Sequence, residues 1–237
     1  MNLTIVGAGT MGRIVRDMAM QNPGIDKVWN IEPALGESLS DGPEPDIIID
    51  FSHPDALNGI CSYITEKQGH VAVVFATTGY SHQQEVQIRQ LSETAPVIQS
   101  SNFSFGINSL KKIVGFASSL LKDCADIEII EKHHNQKVDS PSGTALTLAD
   151  VCDPEGNRVR KCGRMGEEKR RDEIGIHSVR GGTIFGEHTV IFALKDEVIE
   201  IRHTAFSKKI FAKGAIEAAL WLNGRKPGLY RIEDVFY

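Results

Sequence analysis

The fold of the first half of this chain is decided by residues 2–12, which read NLTIVGAGTMG. The apolar run Leu3 to Val6 predicts a buried strand. After the glycines, an apolar stripe at three- and four-residue spacing predicts a helix, and its members are Met11, Ile14, Val15, Met18 and Ala19. A GxGxxG sequence lies between the two. This part of the chain is therefore predicted to run from strand to tight turn to helix.

The glycine spacing in this turn favours a bound dinucleotide. Gly7 allows a tight turn, Gly9 lets a pyrophosphate approach the backbone, and Gly12 permits close packing of helix on strand. N–H groups at the helix N-terminus would then bind the phosphates. The alternative is a glycine-rich turn without a ligand, which the combination of strand, spacing and helix disfavours. The predicted cofactor-binding residues are Gly7, Ala8, Gly9, Thr10, Met11 and Gly12.

Glu32 is a further candidate for the cofactor site. It follows Gly12 by 20 residues, where a carboxylate can accept hydrogen bonds from an adenosine ribose. Its charge would repel a 2′-phosphate, and no Arg or Lys is adjacent in the sequence. NADH is therefore expected to be preferred over NADPH. A solvated acid at a strand end is the alternative.

Short β-branched runs alternate with helical patterns through the rest of the first half. The runs are Val28 to Ile31, Asp46 to Phe51, Val71 to Ala76 and Val97 to Gln99. This alternation predicts an α/β fold with a Rossmann-like parallel sheet and helices on both faces. The proline-broken stretch Pro33 to Pro45 is interpreted as a shortened connection.

The pattern changes near residue 126, which predicts a second, smaller α+β domain. Ile127 to Ile130 is strand-like, Val151 to Asp172 is charged and irregular, and Thr189 to Ala205 alternates like an antiparallel hairpin. Ser207 to Asn223 predicts an amphipathic helix that packs on the first sheet. The predicted domains are residues 1–103, completed by a C-terminal helix in 208–237, and residues 104–207.

Composition excludes several classes of protein. With 237 residues, 41% hydrophobic and 24% charged, the chain has enough apolar residues for a folded core. A formal charge of −5 provides no global positive field for nucleic acid or an anionic membrane. The sequence has neither a secretory signal nor a membrane-spanning run, so we expect a cytoplasmic protein. Its four cysteines form no CxxC pair and are expected to be reduced thiols.

The densest chemistry lies in residues 131–144, which read EKHHNQKVDSPSGT. His133 and His134 can exchange a proton near neutral pH, and Lys137 can hold a carboxylate. Residues 142–144 resemble a helix N-cap, whose N–H groups can bind a carboxylate, although simple capping is an open alternative. Metal binding by the two histidines is disfavoured, because adjacent side chains on a strand point to opposite faces. No metal is expected.

The stretch from Glu128 to Ala145 resembles the signature of the 4-hydroxy-tetrahydrodipicolinate reductases, also called dihydrodipicolinate reductases, of bacterial lysine biosynthesis. Other landmarks of this family follow in the family's order along nearly the whole chain. They are Gly7 to Gly12, Asp50 to Pro54, Ala76 to Gly79, Asn102 to Ser104, Gly186 to Thr189 and Phe211 to Ala215.

The resemblance implies a role for each matching residue. His133 would be the catalytic acid/base and Lys137 the second catalytic group. The substrate, a small cyclic dicarboxylate, would be held by His134, Ser142, Gly143 and Thr144. The nicotinamide half of NADH or NADPH would lie along Ala76, Thr77, Thr78, Ser100, Ser101, Asn102 and Phe103. The resemblance also implies a homotetramer joined through the sheet of residues 104–207, which would be the substrate-binding and oligomerisation domain.

Three positions depart from the family pattern. Ala76 stands where the family usually has Gly, which adds a methyl group beside the cofactor. Lys208 stands where the family often has Arg. Lys in place of Arg would replace a bidentate contact by a contact through one ammonium group. The segment after Asp150 is short, in a region where the family builds its subunit interface.

Two other classes of function are alternatives to the reductase. Another two-domain NAD(P)-dependent dehydrogenase would share Gly7 to Gly12 but would not need the His-His-x-x-Lys and Ser-Gly-Thr combination. A non-catalytic dinucleotide-sensing protein would have little reason to keep His133 and Lys137 together. The motif around these two residues therefore favours the reductase.

Overall fold

The computed structural model describes residues 1–237, and the chain divides into two compact units. The first unit consists of Met1–Phe105 and Lys208–Tyr237, and the second consists of Gly106–Ser207. No helix in either unit combines the length and the apolar character needed to cross a membrane.

The chain forms eleven strands and seven α-helices, each numbered in chain order. The strands are β1 (Asn2–Val6), β2 (Lys27–Ile31), β3 (Ile47–Asp50), β4 (Ala72–Phe75), β5 (Pro96–Gln99), β6 (Asp126–His133), β7 (Val159–Cys162), β8 (Glu173–Arg180), β9 (Gly186–Ala193), β10 (Val198–Ala205) and β11 (Gly228–Tyr230). The helices are α1 (Thr10–Ala19), α2 (Leu57–Glu66), α3 (His82–Ser92), α4 (Phe105–Leu121), α5 (Gly143–Cys152), α6 (Lys209–Leu222) and α7 (Ile232–Phe236).

The first unit is built on a six-stranded sheet in the order β11-β5-β4-β3-β1-β2, with every neighbouring pair parallel. Helices α1 and α6 pack on one face, where the alternate residues Ile5, Ile47 and Val74 point. Helices α2 and α3 cover the other face, where Val6 and Ile48 point. The predicted Rossmann-like sheet with helices on both faces is confirmed. Because its strands are parallel, their carboxyl ends meet at one edge.

The second unit is built on a five-stranded mixed sheet in the order β10-β9-β6-β8-β7. Strand β6 is central: it pairs parallel with β8 and antiparallel with β9, which forms the predicted hairpin with β10. Helices α4 and α5 bury one face of this sheet over Ile127, Ile129 and Phe192. This α+β arrangement confirms the fold class of the second half.

Several local predictions need correction. The charged segment Val151 to Asp172 is not wholly irregular, because it contains β7, an edge strand whose largely exposed residues carry little apolar signal. Strands β8 and β11 were not predicted. The C-terminal stretch 208–237 is not helix alone, since β11 lies between α6 and α7 and extends the first sheet beside β5. The interpretation of Pro33 to Pro45 as a connection needs no correction: it contains two short 3-10 turns and no strand, and β2 lies at the edge of the sheet.

Candidate active site

The glycine-rich turn between β1 and α1 is held by close backbone contacts. Gly7 has a φ of +106°, and a Cβ there would lie 2.5 Å from the carbonyl oxygen of Phe51. A Cβ at Gly12 would lie 1.8 Å from the carbonyl oxygen of Gly7. A Cβ at Gly9, in contrast, would have nothing within 4 Å. Two glycines therefore serve packing, while the third leaves open space at the N-terminus of α1, around Thr10 and Met11.

Glu32 is tied to this turn. Its Oε2 accepts the backbone N–H of Ala8 over 2.7 Å, and its Oε1 accepts the N–H of Ala34 over 3.3 Å. From α1, Nε of Arg13 donates to the carbonyl oxygen of Ala8 in the same turn over 3.0 Å. The structure therefore brings a cation to this turn that is not adjacent to Glu32 in the sequence.

A cavity of about 290 Å³ with a partly apolar lining lies in the first unit beyond the ends of β1 and β2. Val6, Ile31 and Ile60 contribute to its apolar wall, and Glu37 and Ser38 to its polar rim. A cavity of this kind, a mostly apolar cleft with a few polar groups, is typical of a small-molecule site.

The ends of β3 and β4 are joined by the buried carboxyl of Asp50. The hydroxyl of Tyr80 donates to its Oδ2 over 2.8 Å, and the hydroxyl of Ser52 donates to its Oδ1. Thr77 is buried, and its Oγ1 accepts the backbone N–H of Ser52 over 2.9 Å. Burial raises the pKa of Asp50, although hydrogen bonds from Ser52, Thr77 and Tyr80 oppose the shift. Thr78, the next residue, is exposed.

The segment after β5 is shaped by its own hydrogen bonds. Ser100 donates its hydroxyl to the carbonyl oxygen of Asn102 over 3.0 Å, and Oδ1 of Asn102 accepts the N–H of Ser104 over 2.9 Å. Ser101 is exposed. The side chain of Phe103 is buried in the core against the ring of Phe51, so any contact of Phe103 with a nucleotide would involve its backbone.

His133 lies at the carboxyl end of β6 and is 9% exposed. Its Nδ1 lies 2.5 Å from Oε2 of Glu131, which is fully buried on the same face of the strand. Arg180, at the end of the neighbouring β8, donates two hydrogen bonds to Glu131, at 2.7 and 2.8 Å. Burial lowers the pKa of His133, Glu131 raises it, and the nearby charges of Lys137 and Arg180 lower it further.

Ser142 begins α5 as its N-cap. Its Oγ accepts the N–H of Ala145 over 3.2 Å and lies 3.0 Å from Nε2 of His188, and the side chain is 2% exposed. The ring of His188 packs edge-on against the ring of His133, with centroids 5.2 Å apart. Burial, and then the charge of His133, lowers the pKa of His188 to about 3, so His188 is neutral. The hydroxyl of Ser142 is therefore engaged inside the unit.

The loop between β6 and α5 carries the other predicted substrate-binding residues. Lys137 forms a 2.8 Å ion pair with Asp139, and its backbone N–H donates to the carbonyl oxygen of His134. His134 and Thr144 are half-buried, and Gly143 is exposed with nothing within 4 Å of where its Cβ would lie. The second unit thus brings an imidazole, an ammonium group and an open helix start to one end of its sheet.

Sequence reasoning missed three side chains of this cluster. Glu131 stands two residues before His133, so strand periodicity could have placed both on one face. His188 lies within Gly186 to Thr189, which the sequence indicates only as a landmark of the family. Arg180 lies 47 residues beyond His133, on a strand that was not predicted, and no local signal links the two. No group of three or more His, Cys, Asp or Glu side chains is placed to hold a metal ion, and the four cysteines form no disulfide.

Family models match nearly the whole chain. Residues 1–103 match the dihydrodipicolinate reductase N-terminus, and residues 106–236 match the C-terminus of the same family. The chain belongs to the dihydrodipicolinate reductase family. Two relatives within it are the 4-hydroxy-tetrahydrodipicolinate reductases of Clostridium novyi (strain NT) and Exiguobacterium sibiricum. The former is 42% identical, over 96% of this chain and 94% of its own. The latter is 44% identical, over 100% of this chain and 96% of its own.

A solved structure of the same family has this fold. It is the dipicolinate-bound dihydrodipicolinate reductase from Paenisporosarcina sp. TG-14, with a TM-score of 0.76 and 24% identity over 97% of each chain. The fold class and the resemblance inferred from the sequence are therefore confirmed.

Proposed function

We propose that this chain uses NAD(P)H to reduce 4-hydroxy-tetrahydrodipicolinate, by way of dihydrodipicolinate, to tetrahydrodipicolinate in the diaminopimelate route of lysine biosynthesis. The observation that carries the proposal is the buried pair of His133 and Glu131 beside Lys137 and the start of α5, in a member of the dihydrodipicolinate reductase family. In this division of labour, residues 1–103 with 208–237 bind the nucleotide, and residues 104–207 bind the substrate and other subunits.

The glycine-rich turn fits a dinucleotide. Side chains at Gly7 and Gly12 would collide with backbone atoms, which fixes the turn, whereas the space above Gly9 accepts a pyrophosphate against the N-terminus of α1. The neighbouring cavity has the size and apolar wall for an adenine ring. Thr77, Thr78 and Asn102, which follow β4 and β5, are proposed to bind the nicotinamide carboxamide, with Ala76, Ser100, Ser101 and Phe103 beside them.

NADH is the proposed preferred nucleotide. A ribose diol can donate hydrogen bonds to Glu32, while a 2′-phosphate would meet its negative charge. Arg13, on α1, donates to the carbonyl oxygen of Ala8 in this turn and is the cation that NADPH would use instead. The ratio of kcat/KM for NADH over NADPH measures whether Glu32 or Arg13 dominates nucleotide choice. A strong preference for NADPH would contradict the proposal.

The chemistry assigned to the second unit is proton delivery and charge stabilisation. When bound, the nucleotide supplies a hydride to the ring carbon remote from nitrogen. The electron pair of the conjugated imine then shifts, and His133, as imidazolium, gives its proton to the neighbouring carbon and is left neutral. Lys137 holds a substrate carboxylate and offsets negative charge. His134, Gly143 and Thr144, together with the N-cap Ser142, would bind the carboxylates at the start of α5. The 4-hydroxy precursor loses water before the reduction.

A homotetramer joined through the second sheet is part of this proposal. One face of that sheet is buried under α4 and α5. The opposite face carries Glu128, Lys132 and His177, which are only partly buried within the unit. Mass photometry measures the assembly directly, and a purely monomeric protein at micromolar concentration would contradict the proposed homotetramer.

We expect the enzyme in the cytoplasm.

The reductase activity is tested by following NADH absorbance at 340 nm with enzymatically generated 4-hydroxy-tetrahydrodipicolinate. We expect turnover that depends on this substrate and is inhibited by pyridine-2,6-dicarboxylate, a flat mimic. Aldehydes and amino acids are tested in the same assay, as the substrates expected if the protein is another two-domain NAD(P)-dependent dehydrogenase. Turnover of those compounds alone would favour another dehydrogenase, and nucleotide binding without any turnover would favour a sensing protein.

A further inference from the structure

The carboxylate of Glu131 has hydrogen-bond partners on every side. Its Oε2 lies 2.5 Å from Nδ1 of His133 and 2.8 Å from Nη1 of Arg180. Its Oε1 lies 2.7 Å from Nη2 of Arg180 and accepts the backbone N–H of Ser142 over 3.1 Å. An ionised carboxylate only accepts hydrogen bonds, so His133 must present an N–H at Nδ1. This leaves Nε2 as the nitrogen that exchanges a proton with substrate.

We propose that Glu131, held by Arg180, is a positioning residue that fixes the tautomer and orientation of His133 and also anchors the start of α5. The inference rests on the proposed function for the identity of the proton donor. Glu131 itself does not contact the reacting atoms in this scheme.

The ion pair with Arg180 keeps Glu131 charged although it is buried. Burial alone would raise the pKa of Glu131, but hydrogen bonds from Arg180, Ser178, His133 and the N–H of Ser142 lower it to about 2. Glu131 is therefore ionised at neutral pH and stabilises the imidazolium form of His133. A buried carboxylate without a partner would instead take up a proton and lose this effect.

Four titratable side chains, from four parts of the second unit, surround His133. Glu131 lies on β6, Arg180 on β8, His188 on β9 and Lys137 in the following loop. The two cations disfavour imidazolium, and His188 is neutral, so Glu131 is the one group among these four that favours it. Without this carboxylate the pKa of His133 would fall further below its ordinary value.

Glycine at position 186 keeps the other edge of the imidazole open. A Cβ there would lie 3.2 Å from Nε2 and 3.4 Å from Cδ2 of His133, and the φ of Gly186 is +157°. A side chain at this position would press against the atom assigned to proton delivery. Glu131 on one edge and Gly186 on the other thus leave Nε2 as the accessible nitrogen.

The link to Ser142 extends the role of the same carboxylate. Glu131 accepts the N–H of the residue whose side chain caps α5, and that cap lies next to Gly143. One buried group therefore sets both the proton donor and the helix start that is proposed to bind a substrate carboxylate. A change at Glu131 is expected to affect kcat and KM together.

The first test is the titration of His133 by 1H–15N NMR in histidine-labelled protein without nucleotide or substrate. In wild type we expect neutral His133 to carry its proton on Nδ1. In Glu131→Gln, where the charge is lost and an acceptor remains, the pKa of His133 should fall by about one unit or more. In Glu131→Leu with Arg180→Met, where an apolar pair replaces the ions, the proton should move to Nε2, the tautomer that unconstrained imidazole prefers.

The second test is the pH profile of kcat. In Glu131→Gln the loss of activity at rising pH should begin about one pH unit lower than in wild type, with a raised KM. Glu168→Gln, which removes an exposed carboxylate paired with Lys161, is the matched control and should leave both the profile and the NMR titration unchanged.

The outcomes separate this inference from the proposed function. If folded Glu131 variants keep the wild-type tautomer, pKa and pH profile, Glu131 does not position His133. If wild type lacks reductase activity, the proposed function fails, while the NMR titration still tests how Glu131 acts on His133. The double variant Glu131→Leu with Arg180→Met is expected to fold, because it leaves no unpaired buried charge.

Discussion

The backbone N–H of Ala8 donates a 2.7 Å hydrogen bond to Oε2 of Glu32 and so joins the glycine-rich turn to the end of β2. Glu32 is therefore more than a solvated acid at a strand end. It helps to shape the turn that is proposed to receive a dinucleotide, and it brings a negative charge to the proposed position of the adenosine ribose.

Glu32→Gln should shift nucleotide choice toward NADPH. The amide retains an acceptor for the N–H of Ala8 but removes the charge that opposes a 2′-phosphate. We expect the ratio of kcat/KM for NADPH over NADH to rise about tenfold, which corresponds to about 1.4 kcal/mol. Glu37→Gln, on the rim of the neighbouring cavity, is the comparison, and an equal shift in both variants would mean that the effect is not specific to Glu32.

Gly12→Ala and Gly9→Ala should differ in kind. The methyl group at position 12 meets the carbonyl oxygen of Gly7, so the free energy of unfolding should fall by about 1–3 kcal/mol in urea titrations. The methyl group at position 9 meets no protein atom, so stability should change little while nucleotide affinity falls. Equal effects of both substitutions on stability would contradict the packing role of Gly12.

His133→Gln should lower kcat by roughly two to four powers of ten, the range expected for loss of a general acid. The dissociation constant for NADH should change little, because His133 is not proposed to hold the nucleotide. Stopped-flow single turnovers and fluorescence titration measure the two quantities. His70→Gln, at an exposed histidine of the first unit, is the control, and an unchanged kcat in His133→Gln would remove this residue as the acid.

Lys137→Ala should lower kcat and raise KM. Loss of a charge-assisted hydrogen bond to a substrate carboxylate corresponds to a fall of about 10- to 100-fold in kcat/KM. Lys67→Ala removes another ion-paired lysine, one that pairs with Glu44 in the first unit, and should leave steady-state kinetics unchanged. If both variants behave like wild type, Lys137 is a surface charge without a part in the reaction.

His188 should make the protein less stable as the pH falls. Its folded pKa is about 3, whereas the ordinary value is about 6.5, so between these values the unfolded chain binds a proton that the native state does not. The free energy of unfolding should therefore decrease with falling pH in this window, with a contribution of about 1.4 kcal/mol per pH unit. Urea titrations of His188→Gln should show a correspondingly flatter slope, and an unchanged slope would show that His188 protonates in the folded state.

The sequence was most informative where structure and chemistry are local. The strand β1, the glycine turn and the apolar stripe of α1 lie within 18 residues, and the local sequence pattern predicted this order of strand, turn and helix correctly. The helix α6 was likewise predicted from its own pattern, with its small residues Ala215, Ala218 and Ala219 in the core of the first unit. Exposed or short edge strands, β7 and β11, were missed because their stability comes from pairing with a neighbour and not from their own composition.

The sequence by itself determined the order of strand, turn and helix at the N-terminus, the family signature around His133 and the cap at Ser142, because each is a short-range pattern of residues. Only the tertiary structure decided that Arg180 reaches Glu131, that His188 lies against His133 and that Glu32 accepts the N–H of Ala8. These contacts depend on which strands pair and in what register. Such pairings are set by the packing of the whole core, and no local window of sequence contains them.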